Sequence, residues 1–166
     1  RIADQMVAVF PQEAEFYRNY GANVSYFGHP LVDKLAQSPN RLAARQNLGL
    51  SETVPVITLL PASRQQEVKY VLPLLLAVAE KIQATQPNVE FLVPISMGKL
   101  RPAIETAIAR SGVKARLLEG DSLSAIAAAD LVLNKSGTAN LEVALLNVPQ
   151  VVVYRLNPIT ARIGYY

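Results

Sequence analysis

Seven short apolar runs rich in β-branched residues punctuate the chain, at residues 6–10 (MVAVF), 24–27, 54–60 (VPVITLL), 89–94, 114–118, 131–134 and 150–154 (QVVVY). Runs of this length that are apolar on consecutive positions, rather than alternate ones, read as strands covered on both faces. Between them, apolar residues recur at helical spacing over 13–20, 41–48, 66–83, 100–111, 122–128 and 139–146. Gly21, Gly49 and Gly112 stand just past three of these helices, where a left-handed residue is wanted. Strand–helix–strand alternation with doubly covered strands predicts a Rossmann-like α/β fold, a parallel sheet with helices on both faces.

Composition narrows the chemistry. With 51% hydrophobic residues in 166, the chain can bury a core, which excludes disorder as its overall state. The absence of cysteine removes disulfides, thiolate metal sites and cysteine nucleophiles together. A single histidine, His29, excludes a multi-histidine metal centre and leaves little room for a Ser–His–Asp triad. The formal charge of +3 suits an anionic ligand or an acidic membrane surface and is too small to point to nucleic acid. The most apolar run, 70–79, is about half the length of a spanning helix and contains Pro73. The chain starts at Arg1 and stops at Gly164-Tyr165-Tyr166 within an amphipathic pattern, so a fragment of a longer protein is expected.

The boundary signal is Gly28-His29-Pro30, followed by the polar stretch Gln37-Ser38-Pro39-Asn40. Residues 1–28 then form only strand–helix–strand. Residues 29–166 supply five strands and about five helices, a complete Rossmann-like unit. His29, preceding a proline, is expected in extended backbone, as a structural hydrogen-bonding group or a residue of a cleft.

Ligands of open parallel sheets bind outside the carboxyl ends of the strands. Four loops qualify: Pro61-Ala62-Ser63-Arg64-Gln65-Gln66-Glu67, Ile95-Ser96-Met97-Gly98, Glu119-Gly120-Asp121-Ser122 and Lys135-Ser136-Gly137-Thr138. In the last, Ser136 and Thr138 bring hydroxyls and Gly137 a close backbone approach at a helix start, as a phosphate requires. Glu142 lies on the face of Thr138, about 6 Å along the helix axis, where its carboxylate could accept from both ribose hydroxyls. The structural reading is an ordinary N-cap at Ser136 or Thr138 and a solvated Glu142. A capping box fails at both positions, since Ala139 and Leu141 stand three residues on. Ser63 with Gln66 does satisfy the box, which favours a structural Ser63. Arg64 in a first turn opposes the helix dipole unless an anion sits there, either a ligand phosphate or Glu67. Asp121 reads as a helix cap, residues 71–82 as core, and Arg101 and Arg110 as a solvated helix face.

Three blocks carry a resemblance. Phe27-Gly28-His29-Pro30-Leu31-Val32-Asp33, Leu59-Leu60-Pro61-Ala62-Ser63-Arg64-Gln65-Gln66-Glu67-Val68 and Ser136-Gly137-Thr138-Ala139-Asn140-Leu141-Glu142 resemble the lipid-A-disaccharide synthase family in order and spacing. The resemblance runs along the entire chain. It implies a GT-B glycosyltransferase, in which 1–28 would be the tail of the acceptor domain and 29–166 the UDP-sugar-binding domain, incomplete at its C-terminus. The implied reaction transfers diacylglucosamine from UDP to diacylglucosamine 1-phosphate with inversion, forming a β-1,6 disaccharide. It implies no metal and no cofactor, and a cytoplasmic enzyme peripheral to the inner membrane, with a homodimer allowed. Ser136, Gly137 and Thr138 would meet the diphosphate, Glu142 the ribose, and Arg64, with Ser63 beside it, the phosphate charge. The catalytic base is expected in the acceptor domain before Arg1. Two positions depart from the family: Ala62 stands for its usual Gly, and Asn140 for its usual Thr. The alternatives are another GT-B UDP-sugar enzyme, of the UDP-N-acetylglucosamine 2-epimerase or cell-wall N-acetylglucosaminyl transferase type, and a non-catalytic nucleotide-binding module.

Overall fold

Every strand pairing among the described residues is parallel. The computed structural model describes residues 3–61 and 64–153, and the chain divides into two compact units, Arg1–Gln37 and Ser38–Tyr166. In the first unit β1 (Met6–Ala8) and β2 (Val24–Tyr26) pair Met6 with Val24 and are joined through α1 (Pro11–Asn19). Pro11 opens that helix, and the Glu13 carboxylate accepts a hydrogen bond from the Phe10 main-chain N–H at 3.3 Å. Ala8, Ala14 and Val24 form a small core.

A helix that the sequence pattern does not predict follows, α2 (Pro30–Leu35). Its start is built by the His-Pro pair. Nδ1 of His29 accepts from the Leu31 N–H at 3.1 Å, and Pro30 occupies the first helical position with φ already set. The His29 ring also lies 5.3 Å from that of Phe10. Its side chain therefore caps a helix within the first unit.

The second unit is a five-stranded sheet between two helical layers. Its elements are α3 (Arg41–Asn47), β3 (Val56–Leu60), α4 (Gln65–Tyr70), α5 (Leu72–Thr85), β4 (Glu90–Ile95), α6 (Arg101–Ser111), β5 (Ala115–Glu119), α7 (Ser122–Ala128), β6 (Leu131–Lys135), α8 (Ala139–Leu145) and β7 (Gln150–Val153). The expected end of the last strand, Tyr154, lies outside the described residues. The strand order is β5-β4-β3-β6-β7. Alternation along the strands sends Ile57, Leu59, Phe91, Val93 and Leu133 to one face, against Leu72, Leu75 and Leu76 of α5 and Ile104 of α6. Val56, Leu92 and Val132 go to the other, against Ala44, Ile126 and Val143. These side chains are almost wholly buried, each removing apolar surface worth about 1.5–3 kcal/mol.

The single helix expected over 66–83 is two helices meeting at Val71. Pro73 has no N–H for a bond to the preceding turn, so α4 stops and α5 starts afresh. Gly21, Gly49 and Gly112 take φ values of 78°, 64° and 70°, as helix-terminating left-handed residues do. Arg101 is not simply solvated: it bonds Glu105 at 2.7 Å and also reaches Glu119.

At the amino-terminal edge of this sheet sits a fully buried cation, Arg45. Its Nε donates to Ala128 O at 2.9 Å, Nη1 faces the carbonyls of Ser51, Glu52 and Val54 at 2.7–3.0 Å, and Nη2 meets Asp130 Oδ2 at 2.8 Å. Asp130 also accepts from the Val56 N–H at 2.9 Å and from Arg41 at 2.5 Å. Partial burial pushes the Asp130 carboxyl upward, but the Val56 N–H and the two guanidiniums outweigh it and hold it below the ordinary aspartate range. A lowered carboxylate adds stability above its unfolded-state pKa and loses it as pH falls through the folded one. Asp130→Asn is expected to cost about 2–3 kcal/mol at pH 7 by urea unfolding, less than a fully buried pair because Asp130 is partly exposed and Arg45 keeps its carbonyls. The difference from the parent should shrink as pH falls below the ordinary aspartate range and through the lower value of the folded carboxylate.

Candidate functional site

From β3 the chain moves outward to β4 and β5 on one side and then returns to β6 on the other. That reversal opens a crevice beyond the carboxyl ends of β3 and β6. Pro94 stands beyond the β3–β4 register, which pairs Val56–Thr58 with Glu90–Leu92 only, while it stays in register with Leu118 of β5. A cavity of about 490 Å³ occupies this position.

All four expected loops contribute to its walls, the third through Ser122 at the start of α7. Leu60, Pro61 and Arg64 come from the end of β3 and the loop after it, and Pro94 and Ser96 from the end of β4. Ser122 and Ile126 present one face of α7, whose cap is Asp121, as expected, accepting from the Ser124 N–H at 3.2 Å. Lys135, Gly137, Thr138, Ala139 and Glu142 complete it from β6 and α8. Pro61, Pro94, Ile126 and Ala139 supply apolar wall, while Arg64, Lys135, Thr138 and Glu142 supply charge and a hydroxyl. A ligand with an apolar ring and an anionic group suits that division.

Arg64, Gly137, Thr138 and Glu142, expected from the sequence, are thus brought to one cavity. Thr138 is the N-cap of α8 but makes no side-chain capping bond, so its hydroxyl is not consumed by the helix. Ser136 is exposed beside the cavity rather than lining it, and its N–H donates to the Val153 carbonyl at 3.1 Å. That amide is committed to the sheet. Ser63 and Ala62 lie outside the described residues. The expected box of Ser63 with Gln66 therefore also lies outside the described residues; Arg64 is the N-cap of α4, in extended backbone, and its N–H is accepted by Glu67 Oε2 at 3.0 Å. Arg64 therefore precedes the first turn instead of sitting in it. His29 belongs to the first unit.

The sequence assigns no role to Lys135, which lines the cavity, or to Asn134, which is buried beneath the loop. Lys135 Nζ bonds Glu67 Oε1 at 2.7 Å, linking the loop after β6 to the start of α4. A cation at the last residue of a strand, directly before Ser-Gly-Thr, was the available signal. Beneath the loop, buried Asn134 donates from Nδ2 to Asn140 Oδ1 at 2.9 Å and Gln150 Oε1 at 2.8 Å, and Gln150 Nε2 donates to Asn140 O at 3.0 Å. Asn140, which departs from the expected Thr, thereby fixes the start of α8 to the sheet. A second cavity, about 470 Å³, opens near Asn40, Arg41, Asp130 and Pro149 at the other end of the strands. Its facing charges, Arg41 and Asp130, already bond each other.

A family model described as lipid-A-disaccharide synthetase matches residues 1–166. The chain belongs to the lipid-A-disaccharide synthase family. It is 48% identical over 165 residues to the lipid-A-disaccharide synthase of Synechocystis sp., covering 98% of the chain and 42% of that protein. With the lipid-A-disaccharide synthase of Gloeothece citriformis it shares 48% over 159 residues, 96% of the chain and 41% of the relative. The chain thus spans about two fifths of the length of these relatives. Among solved structures, a UDP-GlcNAc 2-epimerase from Neisseria meningitidis bound to UDP-GlcNAc superposes with a TM-score of 0.60 at 14% identity, over 95% of this chain and 46% of that one. WaaG, a glycosyltransferase involved in lipopolysaccharide biosynthesis, superposes with a TM-score of 0.51 at 22% identity, over 92% and 44%. At these identities the likeness establishes the α/β, GT-B type of fold. Among the described residues no helix is long and apolar enough to cross a membrane.

The idle Thr138 hydroxyl makes a prediction about family members of this sequence. Thr138→Ala should leave thermal unfolding within about 0.3 kcal/mol of the parent, whereas Asp121→Ala, which removes a working cap, should cost about 1 kcal/mol. A loss at Thr138 as large as that at Asp121 would assign the hydroxyl to the helix.

Proposed function

We propose that this chain is the donor-binding part of an inverting glycosyltransferase that transfers diacylglucosamine from UDP to diacylglucosamine 1-phosphate, forming the β-1,6 disaccharide of lipid A. The observation that carries the reading is the meeting of Arg64, Thr138 and Glu142, from two loops, in one cavity at the point where the strand order reverses. Family membership names the reaction class, and the site chemistry agrees with its donor.

The Thr138 hydroxyl, the Gly137 backbone and the Arg64 guanidinium take the diphosphate, with Ser63 and Ser136 contributing from the flanks of the two loops. Glu142, one turn along α8, accepts from the ribose hydroxyls, and the apolar wall of Pro61, Pro94 and Ile126 receives the base. As the acceptor 6-hydroxyl forms its bond to the anomeric carbon, the bond from that carbon to the β-phosphate oxygen breaks and the electron pair stays on UDP. Arg64 stabilises that charge as it develops, in the role usually served by preorganised donors and cations. The hydroxyl proton passes to a base in the portion of the longer relatives that this chain does not span. No metal or organic cofactor is required, and the acyl chains of both substrates call for peripheral contact with the inner membrane from the cytoplasm. A second copy of the enzyme is allowed, and nucleic acid has no place in the scheme.

Calorimetric titration of the chain with UDP tests the site. Arg64→Ala should weaken binding about 10- to 100-fold, the size of a charge-assisted hydrogen bond, and Glu142→Gln about tenfold. Binding of UDP by both variants as tightly as by the parent, or a parental preference for ADP, would reject the assignment. In the full-length protein, transfer from unacylated UDP-glucosamine as efficient as from the diacylated donor would point to a different sugar-nucleotide enzyme.

A further inference from the structure

One carboxylate is in the wrong place for a cavity that takes anions. Glu67 reaches the end of Lys135, a residue lining the cavity, and its other oxygen holds the main-chain N–H of Arg64. A negative charge beside a diphosphate would repel it. Lys135 answers that charge at 2.7 Å, with the two side chains only 24% and 17% exposed, so water screens the pair less than it would on the surface. The ammonium also rests against the Gly137 backbone: a Cβ on Gly137 would lie 3.1 Å from Nζ. The cation is therefore placed between the loop after β3 and the loop after β6, two of those that form the cavity.

We propose that Lys135 is a positioning residue of the anion site, neutralising Glu67 so that this carboxylate can fix the Arg64 turn without opposing a bound diphosphate. The inference rests on the reading of the cavity as a nucleoside-diphosphate site. Lys135 acts through Glu67 on Arg64, in the order Nζ to Oε1, then Oε2 to the Arg64 N–H. The chain of contacts spans the mouth between β3 and β6 and needs the carboxylate for geometry. The lysine removes the electrostatic penalty of having one there. Arg64, Lys135, Glu67 and Glu142 are the charged groups gathered here, and with Lys135 held by Glu67 it is Arg64 that meets the phosphate.

A rescue experiment separates this role from direct contact with the ligand. The 166-residue chain and its Lys135→Met, Glu67→Gln and doubly substituted variants are titrated with UDP, and exchange of the Arg64 amide hydrogen is followed by NMR without ligand. Lys135→Met should weaken UDP binding about tenfold, because the Glu67 carboxylate loses the ammonium that separates its charge from the diphosphate, and adding Glu67→Gln should recover it to within about threefold of the parent. Lys135→Met should also speed exchange of the Arg64 amide as Glu67 turns to water, and Lys135→Arg should restore the slow rate. A double variant as weak as Lys135→Met alone would overturn the proposal and give Lys135 a direct bond to phosphate. Unchanged Arg64 exchange in Lys135→Met would overturn it as well. A parent that fails to bind UDP rejects the nucleotide reading instead, and the exchange rates still decide whether Lys135 holds the Arg64 turn.

Discussion

A buried guanidinium organises the second unit. Arg45 has surrendered its hydration, and the fold returns it in full: carbonyls from the 51–54 turn, the last carbonyl of α7 and the Asp130 carboxylate. Desolvating a charge is costly enough that such a group persists only with every donor engaged. Each partner sits on a different segment, so the same contacts that satisfy Arg45 also fix α3, the entry to β3, the end of α7 and the entry to β6 relative to one another. Asp130 extends the tie through the Val56 N–H into the first residue of the central strand. β3 and β6 are thereby held together at the end where they begin.

The site uses the opposite end of the same two strands. Their pairing, Ile57–Leu60 with Leu131–Asn134, carries the alignment set near Asp130 along the sheet to Leu60 and Lys135, where the chain leaves the ladder. From there the backbone is free to diverge into loops, and each loop is pinned by side chains rather than by strand pairing. On the β6 side the pin is the Asn134–Asn140–Gln150 network, and on the β3 side it is Glu67 holding the Arg64 amide. Stability and ligand chemistry are thus assigned to different ends of one parallel sheet, which is why a binding loop can carry exposed charges without loosening the core.

The strands and most helices were legible because burial on both faces writes itself into consecutive Val, Ile and Leu, a pattern that polar loops cannot imitate. Legibility failed where a local contact overrode the pattern. Residues 30–35 carry no strong amphipathic signal, and their helix depends on a histidine ring acting as an N-cap, a job more often given to Ser, Thr, Asp or Asn. Residues 66–83 do carry a continuous apolar stripe, and only the missing N–H of Pro73 divides it. The loops that bring Arg64, Thr138 and Glu142 together were readable because their positions after strands are fixed by topology. The pairings of Arg45 with Asp130 and of Lys135 with Glu67 were not, since a charge in sequence looks the same whether water or a partner far along the chain will meet it.

That last distinction decides what the formal charge of +3 means. A net excess says nothing about where an anion can bind, because a cation already held by a partner is not available to it. Here Arg45 is spent on carbonyls and Asp130, Arg101 on Glu105 and Glu119, and Lys135 on Glu67. Among the described residues the Arg64 guanidinium makes no such bond, and it stands on the cavity rim one loop away from Thr138. On the proposed reading this polarises the cavity. The anionic group of a ligand is drawn to the Arg64 and Thr138 end, and its hydroxyls fall toward Glu142, one helical turn or about 6 Å beyond. A carboxylate at Glu142 would repel a phosphate placed there and welcomes a donor hydroxyl, so the same residue that holds the ribose also forbids the reversed orientation. Direction of binding then follows from the order of two charges along two elements, a property that neither composition nor fold class contains.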